Sequence, residues 1–277
     1  MANDLLQLLE KPEANRDAIC EMLSKYIHQT IEYVNNVFSV RKLVKLANKY
    51  DPLPKDPRLL SSYRTRMGTI IEYAIGSHLD NILYTQFGDA LTFTFSYIHE
   101  YPDFYVRNKE KEELLKIELK LVDCESDEQA ARFDAPTIDI DENRDFVLFM
   151  GWEWIEGFDT PKGWARPNIF EYVLIPSIEI AKERDYRVQL LGGKIDGRTV
   201  FVPSTKEPGK MVEDPGNYGK FWRIVHPSRR DVTDLDEHIK RFLAFQKKVD
   251  EKAPRDRMKN YRVRTHKLSD FHSFNFF

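Results

Sequence analysis

Charged and apolar residues alternate along the segment from Leu114 to Val122, as in a β-strand with one face in the core. Successive side chains of a strand point to opposite faces of its sheet. The apolar face is predicted to carry Leu115, Ile117, Leu119 and Leu121, and the other face Lys116, Glu118, Lys120 and Val122. Glu118 and Lys120 are therefore expected to be neighbours on one side of a strand whose other side is apolar.

A second carboxylate is expected to approach this pair. Asp103 begins a short strand-like segment, 104–107, and the polar stretch 108–113 is typical of a hairpin loop. The hairpin would bring Asp103 beside Glu118. Two carboxylates can hold Mg²⁺, which retains several waters, polarises a phosphoryl oxygen and helps generate hydroxide. A lysine such as Lys120 can orient the attacking water and offset developing charge, so the pattern favours metal-dependent phosphodiester hydrolysis.

The same residues resemble a known signature. Pro102-Asp103 and Glu118-Leu119-Lys120 are similar to the PD-(D/E)xK motif of the restriction-endonuclease-like nucleases, over about 20 contiguous residues. The resemblance implies that Asp103 and Glu118 bind Mg²⁺ and that Leu119 adds a backbone carbonyl ligand. It also implies that Lys120 activates water, and that the products are 5′-phosphate and 3′-hydroxyl ends.

Glu72 is a further candidate, on a predicted helix between Gly68 and Gly76. Small residues one turn to either side would let this helix approach a sheet or a DNA backbone closely. Many nucleases of the resembled family place an extra glutamate on the helix before the catalytic hairpin, where it completes the metal site. The alternative is an exposed helical glutamate flanked by two tolerated glycines.

A different interpretation of the strand remains open. Lys116, Glu118 and Lys120 could form a Lys/Glu ladder on the solvated face of a one-sided sheet. The chain would then be a non-catalytic DNA-binding or interaction protein.

Three basic clusters are candidates for DNA contact, because arginine pairs bidentately with phosphate or with guanine edges. The residues singled out are Arg64 and Arg66, then Arg223, Arg229 and Arg230, and finally Arg257, Arg262 and Arg264. Ordinary surface charge is the alternative for any one of them.

The elements that would position these residues follow from periodicity. Helices are predicted over 19–34 and 65–84, strands over 91–98, 104–107, 114–122, 146–154 and 170–175, a hairpin over 186–202, and a helix over 233–249 capped by Thr233. This order predicts an α/β fold, a mixed central sheet flanked by helices with an N-terminal helical extension. The predicted division is an extension over 1–57, a nuclease core with recognition elements over 58–250, and a basic, aromatic tail over 251–277.

Composition excludes several classes. The 277 residues carry 42 Lys and Arg against 45 Asp and Glu, a net charge of −3, so the chain is not a histone-like DNA binder. Two cysteines, Cys20 and Cys124, are too few for a disulfide scaffold or a multi-cysteine zinc or iron–sulfur site. The sequence has neither a signal-peptide pattern nor an apolar run of about 18 residues, so a cytoplasmic location without membrane insertion is expected.

The combined expectation is a Mg²⁺-dependent endonuclease for double-stranded DNA, most like a type II restriction enzyme. Cutting both strands of a symmetric site needs two active sites, which favours a homodimer built through the N-terminal helices and the aromatic tail. The alternatives are a nuclease of the same fold in DNA repair, phage processing or CRISPR adaptation, or the non-catalytic binder.

Overall fold

Helices precede, flank and follow a central sheet in the computed structural model, which describes residues 5–41, 57–96, 101–124, 140–155, 166–195, 198–213, 221–230 and 235–252. The helices are α1 (Leu5–Leu9), α2 (Pro12–Arg41), α3 (Pro57–Phe87), α4 (Ser177–Leu191) and α5 (Glu237–Lys252). The sheet strands are β1 (Leu91–Phe95), β2 (Phe104–Asn108), β3 (Glu113–Asp123), β4 (Asp145–Ile155) and β5 (Arg166–Pro176). Two small ribbons follow α4, formed by β6 (Gly193–Ile195) with β7 (Arg198–Val200) and by β8 (Val202–Pro203) with β9 (Met211–Val212).

The five-stranded sheet has the order β1-β2-β3-β4-β5. Neighbouring strands are antiparallel except β3 and β4, which run parallel. Parallel neighbours cannot be joined by a tight hairpin turn, so β3 and β4 do not form a hairpin. The predicted class, α/β with a mixed sheet flanked by helices and a helical N-terminal region, is confirmed.

Both faces of the sheet are covered. Helices α1, α2 and α3 pack on one face, called the α3 side, where they share a hydrophobic cluster with Leu115, Ile117 and Leu119. Helix α5 packs on the other face, the α5 side, against Val147 and Phe149. A strand between two covered faces is apolar on both, which explains the continuous apolar run of β4.

Helix α2 is an integral part of this core. It packs along the edge strand β5, where the Asn35 side-chain amide donates to the Ile169 carbonyl (2.8 Å) and accepts from the Ile169 N–H (2.9 Å). The Cys20 thiol donates to the Leu174 carbonyl. These side chains bind backbone groups that a neighbouring strand would otherwise bind, so α2 covers the sheet edge.

The boundaries of two predicted elements are wrong. The hairpin predicted over 186–202 is present but shorter: β6 pairs with β7 over 193–200, and α4 continues to Leu191 before it. Charged residues such as Glu183 and Arg187 lie on the buried stripe of α4, so its periodicity is hidden in the sequence. Helix α5 begins at Glu237, where the Asp236 carboxylate accepts from the His238 N–H (2.8 Å), the bond of an N-cap. Thr233 lies outside the described residues.

Candidate active site

Strands β2 and β3 form the predicted hairpin. They pair antiparallel with Phe104 opposite Ile117. At the turn, the Asn108 side chain accepts from the Glu112 N–H (2.9 Å), and Arg107 pairs with Glu113 at 3.0 Å. The register brings the residue before β2 to the level of Glu118 on β3.

Asp103, directly before β2, is held by its buried neighbour and by two hydrogen bonds. Its neighbour Phe104 is fully buried in the core on the α3 side. Its carbonyl accepts from the Ser96 N–H (2.8 Å), and its carboxylate Oδ2 accepts from the Leu119 N–H (2.7 Å). The Asp103 carboxylate therefore takes the place of a backbone acceptor for β3, just beyond the first residue of β2.

Leu119 presents its carbonyl to the same place. In a strand, the N–H and the carbonyl of one residue point to the same edge. Because the Leu119 N–H reaches Asp103, its carbonyl also points past the end of β2 towards that carboxylate.

Glu118 lies on the α5 side and is 7% exposed. Its carboxylate pairs with the Lys120 ammonium and accepts from the Asp103 N–H. Burial raises the pKa of Glu118; the Lys120 charge opposes this rise and the negative charge of Asp103 adds to it. The structure thus brings together Asp103, Glu118 and Lys120, which we call the carboxylate–lysine site.

An exposed Lys/Glu ladder does not account for this face. Glu118 is buried, and the side chains of Val147 and Phe149 beside it are fully covered by the core on the α5 side. A solvating ladder would leave the central glutamate in water.

Glu72 lies on the opposite side of the sheet from Glu118. It is half-buried on α3, one turn from Gly68 and from Gly76. A methyl group at Gly76 would meet the ring of Phe104 at 2.8 Å, so this stripe of α3 packs on the α3 side. Participation of Glu72 in a metal site stays a prediction.

The second arginine cluster has structural partners. Arg229 binds the buried Glu183 carboxylate through Nη2 (2.8 Å) and Nε (3.3 Å), and Arg230 donates to the Trp222 carbonyl (3.1 Å). Arg223 is half-buried, and its carbonyl accepts from Arg187 (3.1 Å). The contact with Glu183 in particular gives Arg229 a structural role that does not involve DNA.

The other arginines are less informative. Arg66 is exposed on α3. Arg64 lies in the same helix, but its side chain is outside what the structure describes, as are Arg257, Arg262 and Arg264 altogether. Their proposed DNA contacts stay predictions.

Polar residues near the site were missed by sequence reasoning. Asp145 and Ser177 are fully buried on the α5 side, close to Tyr101. Strand alternation on β4 gives a signal for Asp145, because it shares a face with Val147 and Phe149. Ser177 gave no such signal, since the helix that it begins was not predicted.

A cavity of about 410 Å³ opens elsewhere, at the outer edge of β5. His28, Tyr172 and Arg241 are among its lining residues, and the carboxylate–lysine site does not contribute to it. Of the helices in the described ranges, none has the length and apolar character needed to cross a membrane.

Comparisons with protein-family models, with curated proteins and with solved structures found no match for this chain.

Proposed function

We propose that this protein is a Mg²⁺-dependent endonuclease for double-stranded DNA, most like a type II restriction enzyme. The observation that carries the proposal is the contact among Asp103, Glu118 and Lys120 at the end of β2. Two carboxylates, a lysine and a strand carbonyl at one point are groups that can support metal-assisted phosphodiester hydrolysis.

The donor set suits magnesium. Within the described ranges, no group of three or more His, Cys, Asp and Glu side chains could hold a metal ion. A site here would therefore use Asp103, Glu118 and the Leu119 carbonyl, with water completing the shell, as Mg²⁺ commonly allows.

Each residue then has a role. Asp103 and Glu118 would hold the metal, which would polarise the scissile phosphate and lower the pKa of a bound water. Lys120 orients the attacking water and offsets charge on the phosphate in the transition state. Paired strands hold all three groups, which limits the motion that would weaken their positioning.

The experiment is cleavage of long duplex DNA with Mg²⁺, with EDTA and by the Lys120→Ala variant. The expected result is discrete fragments that require Mg²⁺ and that are lost in the variant. Lys248→Ala is the matched control, because Lys248 also pairs with a glutamate, Glu171, but lies on α5 at the cavity beside β5. It should cleave as the wild type does.

Other outcomes separate the alternatives. A smear instead of bands would keep the nuclease and remove the restriction role in favour of repair or phage processing. DNA binding without cleavage on several substrates would favour the non-catalytic binder. A homodimer is part of the proposal, because symmetric double-strand cleavage needs two sites.

A further inference from the structure

We propose that Tyr101, Asp145 and Ser177 form a buried polar support that orients the Glu118 carboxylate through Oε2, the oxygen that does not pair with Lys120. The inference deepens the proposed function and rests on it, since the value of the support lies in metal binding by Glu118. None of the three side chains belongs to the signature that the sequence resembles.

Strand register places Asp145 next to Glu118. In the parallel pair of β3 and β4, Lys116 is opposite Asp145 and Glu118 is opposite Val147. Alternation then puts Asp145 and Glu118 on the same face, the α5 side, as diagonal neighbours. Ser177 follows directly after Pro176, which pairs with Phe146, so it too lies beside Asp145.

Four buried oxygen atoms of these side chains and of Glu118 have no hydrogen-bond partner of regular geometry among the described residues. They are Tyr101 OH, Glu118 Oε2, Asp145 Oδ1 and Ser177 Oγ. Asp145 is 1% exposed and Ser177 is fully buried. Buried polar atoms are nearly always paired, and two hydroxyl donors match two carboxylate acceptors in number.

The Lys116 side chain, which lies opposite Asp145 on the same face, is over the Tyr101 ring, and the effects on pKa agree with this placement. Burial raises the pKa of Tyr101, the Asp145 carboxylate raises it further, and Glu118 contributes in the same direction, while Ser177 lowers it by hydrogen bonding. The Lys116 ammonium lies 6.0 Å from the centre of the Tyr101 ring. Burial raises the pKa of Asp145, and the Lys116 charge opposes this rise.

The arrangement divides the two oxygens of Glu118 between two tasks. Oε1, which pairs with Lys120, is the oxygen that would meet the metal, whereas the buried Oε2 is left for the polar support. Tyr101 lies two residues before Asp103. One short segment therefore supplies both the Asp103 carboxylate ligand and the phenol that would support the second carboxylate ligand, Glu118. Groups that hydrogen-bond to a metal ligand fix its orientation, and their loss typically weakens metal binding roughly 10- to 100-fold.

The test measures Mn²⁺ affinity by electron paramagnetic resonance in the wild type, Tyr101→Phe and Asp145→Asn. Both variants should bind Mn²⁺ roughly 10- to 100-fold more weakly. Tyr172→Phe is the matched control: it also removes a partly buried phenol oxygen, one that donates to the Ser24 carbonyl (2.9 Å) on α2, and should bind as the wild type does. Chemical unfolding of all four proteins identifies any effect due to lost stability.

The outcomes are distinct. If the wild type binds Mn²⁺ and both variants match Tyr172→Phe in affinity, the polar support is refuted and the proposed nuclease stands. If Tyr172→Phe weakens binding as much as Tyr101→Phe, the effect is general destabilisation and the inference is also refuted. If the wild type binds no Mn²⁺, the proposed metal-dependent function fails and the inference falls with it.

Discussion

Two buried glutamates of this protein each pair with a partly exposed cation, and the two pairs differ in what surrounds them. The side chains of Glu118 and Glu183 are 9% and 2% exposed. Each has one carboxylate oxygen, Oε2, that is buried without a hydrogen-bond partner among the described residues. By burial and pairing alone the two would be equivalent.

Their neighbours separate them. Arg229 donates twice to one oxygen of Glu183 and lies over the Tyr186 ring, 5.0 Å from its centre. A planar guanidinium fixed by a carboxylate and a ring is held in one orientation, which suits a structural role. Lys120 is a compact cation with three donors, and the carboxylate it binds has a second carboxylate, Asp103, beside it. A buried ion pair is thus not itself a site; the additional carboxylate makes it a candidate.

The largest expected difference comes from the same substitution at both glutamates. Glu118→Gln should reduce DNA cleavage about 100- to 10,000-fold, the range for losing one catalytic group, and should leave the free energy of unfolding equal or higher, because it relieves repulsion from Asp103. Glu183→Gln should lower the free energy of unfolding by about 1–3 kcal/mol, since Arg229 loses its charged partner. Cleavage rates per folded molecule and urea unfolding measure the two effects. Equal effects on both properties would show that the two pairs do not differ in role.

A smaller effect should come from the helix that packs beside the hairpin. Gly76→Ala would drive a methyl group into Phe95 and, at 2.8 Å, into Phe104, the residue next to Asp103. We expect a loss of about 1–3 kcal/mol in the free energy of unfolding, measured in urea.

Gly68→Ala is the matched control for that change. Its methyl group would lie 3.8 Å from Leu121, an ordinary contact, and alanine favours a helix over glycine by about 1 kcal/mol. Gly68→Ala should therefore be neutral or stabilising. A similar loss in both variants would mean that the close approach of α3 at Gly76 is unimportant.

The smallest expected effect concerns pH. Burial raises the pKa of Glu118 above its ordinary value of 4.5, so the folded state binds its proton more tightly than the unfolded state does. The carboxyl therefore costs no stability below pH 4.5, and it becomes destabilising as the pH rises from there through the folded-state pKa. In EDTA, the stability of the wild type relative to Glu118→Gln should fall as the pH rises over that interval. A constant difference in the urea midpoint would contradict the raised pKa.

The sequence predicted the hairpin well because its signal is local. Strict alternation on β3 and a polar turn before it are enough to place Asp103 beside Glu118 once the strands pair. The arginine clusters were inferred from proximity along the chain, which does not show that Arg229 meets Glu183 on α4.

Other features depend on contacts that no local pattern carries. Asn35 on α2 binds the edge strand at Ile169, 134 positions along the chain, so the packing of the N-terminal helices on the sheet edge could not be predicted. Helix α4 was missed because its buried stripe includes Glu179, Glu183 and Arg187, whose partners become visible only in the fold.

The most direct test of the central claim, that the carboxylate–lysine site holds a catalytic metal, is iron-mediated backbone cleavage. Fe²⁺ bound in place of Mg²⁺, with ascorbate and peroxide, generates radicals that cut the chain near the metal, and mass spectrometry identifies the cuts. We expect cuts close to Asp103 and Glu118 that excess Mg²⁺ suppresses and that Glu118→Gln abolishes. Cuts confined to other segments, or cuts near this hairpin that persist in Glu118→Gln, would contradict it.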